Sequence, residues 1–519
     1  MKRFSEHMVT LEKIVGGGQA MGTLSDGRKA FVWGGLPGET VTVCITKKKS
    51  SFVEGIVTKV HAASPERIAP LDPESYLSTS PWQIMNFEAE QHYKAALIEE
   101  AFELHDIVLP EPIDVYTDGV TSKYRNKVEF SWYGMNKSQE ARGMSQETNT
   151  TRAKRVARES EHQEEIVSEQ FFADAESQRQ DPRTANYVPS TPKAAQVTTG
   201  AGSIDSKDSL ELAFFRRGTK GKITIDACSL LPDNIMNLAL DICAWLEQRQ
   251  VRASQLKTLL IRCDQAGNCV WQLYIKEPIC GFMSASEATE FAAQGGEVIY
   301  SDPKSPASRI TKRLLSVGNT TLADTVLGIP FSYATEGFFQ VNIPVYEQAL
   351  RDMQGWIAMS NEQLNRQSQI ASSSPIANRH LPIIDLYSGV GSIGLTIGGD
   401  NCTLIEIDEH AVREMKRNIT KQGSSATAVL APAEKALEYI TANSCVIVDP
   451  PRAGLHKDVI TRLLSEQPPR IIYLSCNPVT QARDIALLAS HYGIRWHRGY
   501  NFFPRTPHIE HLVILDRKH

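Results

Sequence analysis

Four short apolar runs open the chain: MVTLEKIV, KAFVWGG, TVTVCITKKK and FVEGIVTKVH, all within residues 8–62. They are rich in Val, Ile and Phe, and turns of GGGQAMG, LPGE and KKSS separate them. That pattern predicts about five strands in an OB-like barrel, assigned here to residues 1–66. Further on, YRNKVEFSWYGM (124–135), LELAFFRR (210–217), LKTLLIRCD (256–264) and CVWQLYIK (269–276) read as strands of a mixed α+β region spanning residues 67–327. Beyond residue 328 the period changes. LPIIDLYS, CTLIEID, SCVIVDP and RIIYLSC are buried-strand runs, and EHAVREMKRNITKQ, HKDVITRLLSEQ and TQARDIALLASH have helical spacing. Such alternation predicts a doubly wound parallel α/β sheet for residues 328–519.

Two stretches break the pattern. Residues 136–208 are rich in Gln, Ser, Thr, Glu, Arg and Ala with few aliphatics, and are expected to form a disordered insertion in a hairpin loop. SNEQLNRQSQIASSSPIANRH (360–380) reads as a flexible polar linker before the first parallel strand.

Composition narrows the class. A chain of 519 residues is expected to hold several domains, and its 41% hydrophobic content suffices for real cores. No apolar run approaches the ~18 residues that a membrane span needs. The start, MKRFSEHMVTLEK, lacks an apolar signal region, so a cytoplasmic location is expected. The nine cysteines include no CxxC pair, which argues against a disulfide framework or a structural zinc site and predicts mostly buried free thiols. A net charge of −5 disfavours coating nucleic acid by bulk charge but leaves room for a local basic groove. Lys47, Lys48 and Lys49 are either phosphate-facing or a solvated turn.

The candidate chemistry lies after residue 380. GVGSIG (389–394) follows the first parallel strand, and Glu406 ends the next one. Gly389 and Gly391 let the backbone approach a ligand, and the acid suits a ribose hydroxyl pair. This predicts a nucleoside-containing cofactor, either NAD or S-adenosylmethionine. The third strand ends in DPPRAG (449–454), a rigid turn with a carboxylate, Asp449, at the ligand edge of the sheet. The fourth ends in SCNP. Asn477 can cap a helix that Pro478 begins, so Cys476 sits beside a helix N-terminus that favours a thiolate. A buried structural cysteine is the ordinary alternative, and the ligand-edge position argues against it.

DPPRAG, sixteen residues, then IIYLSCNPVT resembles the signature of the RNA (uracil-5-)-methyltransferase family. FFQVN (338–342), DLYSGVGSIGL (385–395), PRTPHIE (504–510) and YRNKVEF (124–130) fit the same family. VGGGQAMG, FVWGGLPGE and SPERIAP resemble its N-terminal TRAM module. The resemblance implies a class I S-adenosylmethionine-dependent fold and methyl transfer to C5 of a uridine in RNA. It makes Cys476 the nucleophile toward uracil C6 and Glu510 the base that removes the C5 proton. Gln340, Tyr387, Gly389, Gly391 and Glu406 would hold S-adenosylmethionine, and Asp449 would meet the cofactor's amino group, the uracil, or both. For Glu510 the alternative is an edge-strand carboxylate near His508 and His511.

Several positions depart from the family's pattern. Residues 67–87 lack the cysteines that would hold an iron–sulfur cluster, so no cluster and no metal are expected. Ser388 stands where relatives often have cysteine. Asn501 and Arg505 replace expected residues in the tail motif and bring target choice into question. The TRAM-like start favours 23S ribosomal RNA, with transfer RNA as the alternative, and a monomer is expected. From another class, an NAD-dependent oxidoreductase would use GVGSIG but would leave Cys476 and DPPR without a role.

Overall fold

The computed structural model describes residues 5–134, 210–219, 221–306, 308–371 and 381–518. The expected insertion at 136–208 lies outside the described residues.

Strands β1 (Glu6–Ile14), β2 (Ala20–Thr23), β3 (Lys29–Trp33), β4 (Thr40–Lys48) and β5 (Phe52–Ala62) close into a barrel in the order β1-β2-β3-β5-β4. Burial along β4 alternates, so Val41, Val43 and Ile45 fill the barrel while the residues between them face outward. Helix α1 (Phe87–Glu103) follows, started by Asn86, whose side chain accepts from the Ala89 amide at 2.8 Å. After it come the two-residue strand β6 (Val115–Tyr116) and the long strand β7 (Lys127–Gly134).

A seven-stranded sheet joins β7 to β8 (Leu210–Phe215), β9 (Lys222–Thr224), β10 (Leu256–Cys263), β11 (Cys269–Ile275), β12 (Gly295–Tyr300) and β13 (Lys312–Gly318), in the order β13-β12-β11-β10-β7-β8-β9. Helix α2 (Asp233–Gln248) covers it, burying Ile235, Leu238 and Ile242 in one core with Leu259, Ile261 and Leu273. The hairpin β14 (Thr321–Val326) and β15 (Ile329–Ala334) leads into the long helix α3 (Ile343–Ala371).

The C-terminal sheet contains β16 (Ile383–Leu386), β17 (Cys402–Glu406), β18 (Thr427–Leu430), β19 (Cys445–Val448), β20 (Arg470–Ser475), β21 (Tyr492–Tyr500) and β22 (Glu510–Arg517). Its order is β18-β17-β16-β19-β20-β22-β21-β6, with β22 antiparallel to both neighbours. Helices α4 (Ser392–Ile397), α5 (Glu409–Gln422), α6 (Lys457–Glu466) and α7 (Pro478–Leu488) form the crossovers. Strands β16, β19 and β20 are buried along their whole length, as parallel strands covered on both faces must be. The direction of strand order reverses between β16 and β19, where open α/β sheets leave a crevice at their carboxyl ends. No helix among the described residues is long and apolar enough to cross a membrane.

Three expectations need correction. The segment 67–327 does not pack as one unit. Ile98, Ala101 and Phe102 of α1 share a core with Val446, Val448 and Tyr473, and β6 pairs in parallel with β21. Hairpin β14–β15 likewise joins the C-terminal core through Leu322, Phe331 and Tyr333, so a boundary at 327/328 falls in its turn. Local periodicity announces a strand or helix but not the sheet that covers it. The linker expected at 360–380 is helical as far as Ala371, since Glu, Gln, Leu and Arg sustain a helix where no Gly or Pro intervenes, and its remainder lies outside the described residues. Finally, Cys263 and Cys269 form a disulfide. Antiparallel pairing of β10 with β11 sets them directly opposite one another, a closeness that a search for CxxC spacing does not detect.

Candidate active site

Strand β20 carries Cys476 to the carboxyl edge of the sheet, partly exposed. Asn477 caps α7, its side chain accepting from the Val479 amide at 3.3 Å, and Pro478 occupies the first turn. The cysteine thus lies beside a helix N-terminus, where unsatisfied amides favour negative charge. The same turn is tied to the DPPRAG loop. The Asn477 side-chain amide donates to the Arg452 carbonyl at 2.9 Å, and the Thr480 hydroxyl donates to that carbonyl at 3.0 Å. Behind them, buried Asp484 accepts from the Leu455 amide at 2.7 Å and from the Tyr473 hydroxyl at 2.8 Å. Gly454 adopts φ +80°, and a Cβ there would stand 2.5 Å from the Asp484 carboxylate.

Glu510 begins β22. The ladder pairs Ser475 with His511, which brings Cys476 and Glu510 to the same rim on adjacent strands. Glu510 is only 4% exposed, and burial pushes its carboxyl well above the usual range. The neighbouring Asp449 charge adds to that push, and Arg452 opposes it. Burial raises the Asp449 carboxyl as well. Arg452 donates to His508 Nδ1 at 3.0 Å, and burial followed by the Arg452 charge holds that imidazole well below its ordinary value. Arg452 and His508 were not among the residues proposed from sequence. The DPPR quartet was the available signal, since it places a cation three residues after the carboxylate.

The other side of the crevice is the glycine loop. Tyr387 and Gly389 take left-handed backbone angles, φ +66° and +55°. Gly391 also does, at +84°, and a Cβ on it would lie 3.1–3.2 Å from Leu395, Leu404 and Met415. Glu406 stands at the end of β17, accepting from the Gly389 amide at 2.9 Å and the Asp408 amide at 2.8 Å. Ser388 locks the turn instead of facing the crevice, donating to the Asp385 carbonyl at 2.6 Å and accepting from the Ile405 amide at 2.9 Å. Phe338 reaches to within 4.0 Å of where a Gly389 Cβ would stand, so FFQVN lies over the loop. Burial pushes Asp385 up to about 8, with the charges of Asp449 and Glu406 adding.

Three buried polar atoms here have no hydrogen-bond partner among the described residues: Gln340 Oε1, Asn342 Nδ2 and Asp385 Oδ1. Buried polar groups are nearly always paired, so such orphans beside a left-handed glycine loop fit a polar ligand that would complete them. An amino-acid-bearing nucleoside such as S-adenosylmethionine offers the ammonium, carboxylate and hydroxyl groups required. Tyr387, Gly389, Gly391, Glu406 and Asp449 all fall at the carboxyl ends of β16, β17 and β19, and Gln340 lies two residues after Phe338, which reaches the glycine loop.

The tail departures have a structural account. Asn501 is fully buried and donates to Glu90 at 2.9 Å and to Gln91 at 2.6 Å. Lys94 of α1 donates to the Asn501 side-chain oxygen at 2.5 Å and to the Phe503 carbonyl at 3.0 Å. Arg505 donates to the Met85 carbonyl at 2.9 Å and pairs with Glu90 at 3.6 Å. Both residues therefore moor the loop before Glu510 to α1.

Residues 434–518 match the family model described as tRNA (Uracil-5-)-methyltransferase. The chain aligns along its whole length with an uncharacterized RNA methyltransferase of Nitratidesulfovibrio vulgaris, 23% identical over 538 residues and covering 100% of this chain and 98% of the relative. Identity is 31% over 212 residues with an uncharacterized RNA methyltransferase of Enterococcus faecalis, a match spanning 39% of this chain and 42% of that relative. The crystal structure of Pyrococcus abyssi tRNA (uracil-54, C5)-methyltransferase in complex with S-adenosyl-L-homocysteine shares the fold, with a TM-score of 0.64 at 17% identity over 98% of this chain and 100% of that one. The family model thus matches the C-terminal part of the chain, and the relatives that align with it are named as RNA methyltransferases.

Proposed function

We propose that the protein methylates C5 of a uridine in RNA through a covalent bond between Cys476 and uracil C6. The observation that carries this reading is the register of β20 and β22, which sets a thiol beside a helix N-terminus next to a buried carboxyl at the ligand edge. S-adenosylmethionine, when bound, supplies the methyl group as an electrophile on its sulfonium centre. Uracil C5 is a weak nucleophile until the Cys476 thiolate adds to C6 and drives the double-bond electrons onto C5, which then takes the methyl. Glu510 removes the proton left on C5, and the returning electron pair expels the thiolate and restores the double bond. A carboxylate whose proton affinity is raised by burial is a stronger base for that step. Gln340, Tyr387, the Gly389–Gly391 loop and Glu406 would hold the cofactor, and Asp449 would meet its amino group, the uracil, or both. The target uridine must leave its stack to reach Cys476.

The ground for large-subunit ribosomal RNA as the target is the resemblance of the N-terminal segment, a five-stranded barrel, to a TRAM module. The transfer-RNA substrate in the name of the Pyrococcus relative supports the alternative. One experiment addresses both. RNA containing 5-fluorouridine, incubated with the protein and S-adenosylmethionine, should give an adduct that survives denaturation, because fluorine does not leave as a proton. Sequencing the trapped RNA identifies the target. An equal yield of adduct from Cys476→Ala would overturn the nucleophile assignment.

A further inference from the structure

The segment Glu336–Gln340, which ends at the orphaned glutamine, is held from outside the C-terminal sheet. Arg262 of β10 lies directly opposite Lys127 of β7 in the antiparallel ladder. Two like charges facing one another across a ladder repel unless each finds acceptors. Both cations point their heads at the same stretch of backbone. Arg262 is 1% exposed and donates to the Gly337 carbonyl at 2.5 Å and to the Phe339 carbonyl at 2.7 Å. Lys127 donates to the Glu336 carbonyl at 3.4 Å. The Glu336 carboxylate is taken as well, by Arg313 at 2.6 Å and Gln272 at 2.8 Å. Beneath the clamp, Arg262 stacks 4.4 Å from the centroid of Tyr333, whose ring is itself stacked 4.3 Å from Phe339. The grip on carbonyls ends one residue before Gln340, whose side-chain oxygen is buried without a partner.

We propose that Arg262 is a positioning residue for the cofactor. It spans two carbonyls with one planar fork, and so presents Gln340 in a fixed place before S-adenosylmethionine binds. The seven-stranded sheet thereby contributes to cofactor affinity without touching the cofactor. A lysine here would offer its donors from one point on a flexible stem and not from a planar fork, so it would hold the two carbonyls less rigidly than arginine does. This inference rests on the reading of S-adenosylmethionine as the cofactor.

The test is S-adenosylhomocysteine binding by calorimetry to the full chain, in wild type, Arg262→Lys, Gln340→Ala and the double variant. Arg262→Lys should weaken binding by about tenfold, through lost preorganisation. The double variant should bind no more weakly than Gln340→Ala alone, because Arg262 acts through Gln340. In methylation assays Arg262→Lys should raise KM for S-adenosylmethionine and leave kcat close to wild type. Unchanged binding by Arg262→Lys, or losses that add in the double variant, overturns the inference. Should Arg262→Lys fail to fold, Glu336→Gln loosens the same loop from its exposed side and must also weaken binding. Wild-type protein that does not bind S-adenosylhomocysteine overturns the cofactor reading itself, and with it this inference.

Discussion

Cys476 and Glu510 sit on one rim in opposite surroundings. The thiol is partly exposed beside helix amides that favour its anion, and the carboxyl is buried where its anion is disfavoured. A carboxyl in that position ionises only above the ordinary carboxylate range, so under the proposed mechanism the acidic limb of the kcat–pH profile should lie well above pH 4.5. Glu510→Gln should lower turnover by about 10²–10⁴-fold. It should also let the cysteine–RNA adduct build up on ordinary uridine, because addition and methylation precede the blocked step; a denaturing gel reads this directly. Asp385 makes a second pH-dependent contribution. Its folded value of about 8 lies above the ordinary 3.8, so the folded state binds the extra proton between those limits. Its contribution to stability is full below pH 3.8 and is lost as pH rises toward 8. Thermal unfolding across that window should show a shallower decline for Asp385→Asn than for wild type.

At the scale of elements, the strand-to-helix unit β20–α7 and the DPPRAG loop behave as one piece. Asp484, on the first turns of α7, takes the Leu455 amide and the Tyr473 hydroxyl, which fixes the loop to the strand. Gly454→Ala should therefore cost about 1–2 kcal/mol from its left-handed backbone alone. The clash with the Asp484 carboxylate adds to that, and urea unfolding gives the total. The cap of α7 was legible beforehand, because Asn477 directly precedes its helix and needs only local chain to bond the first amides. The hairpin β14–β15 and the strand β6 were not. The two residues of β6 carry no period, and β6 exists as a strand because β21 provides its partner.

Across the whole molecule, the loop that precedes Glu510 is held by parts distant in sequence. Trp82 donates to the Gly18 carbonyl at 2.9 Å, and its own amide donates to the Arg505 carbonyl at 3.1 Å. The Tyr124 hydroxyl donates to the Pro504 carbonyl at 2.9 Å, while Lys94 grips Asn501 and Phe503. Barrel, helix α1 and the approach to the seven-stranded sheet therefore meet on the loop that leads to Glu510. Lys94→Met would take from buried Glu90 the nearer of its two cations, 3.3 Å away, and leave the Asn501 side-chain oxygen without that donor, a loss of up to about 3–5 kcal/mol by analogy with other broken buried ion pairs. Chemical denaturation measures that loss, and activity should fall with it because the loop carries Glu510.

Sequence by itself determined the chemistry that depends on near neighbours. It specified the glycine loop, the thiol between an apolar strand and an Asn-Pro helix start, the acid ending β17, and the class of sheet that presents them. These features follow from apolar period, backbone restriction and capping, all of which act within a few residues. Only the tertiary structure decided which groups surround them. The Lys94–Asn501 contact joins residues 407 apart, and the Cys263–Cys269 bond needed a strand register. Arg452 reaches His508 across 56 residues, and Arg262 reaches Phe339 across 77. Contacts of that range are set by how sheets pack and which carbonyls remain unsatisfied when they do, quantities that no local window of the chain contains.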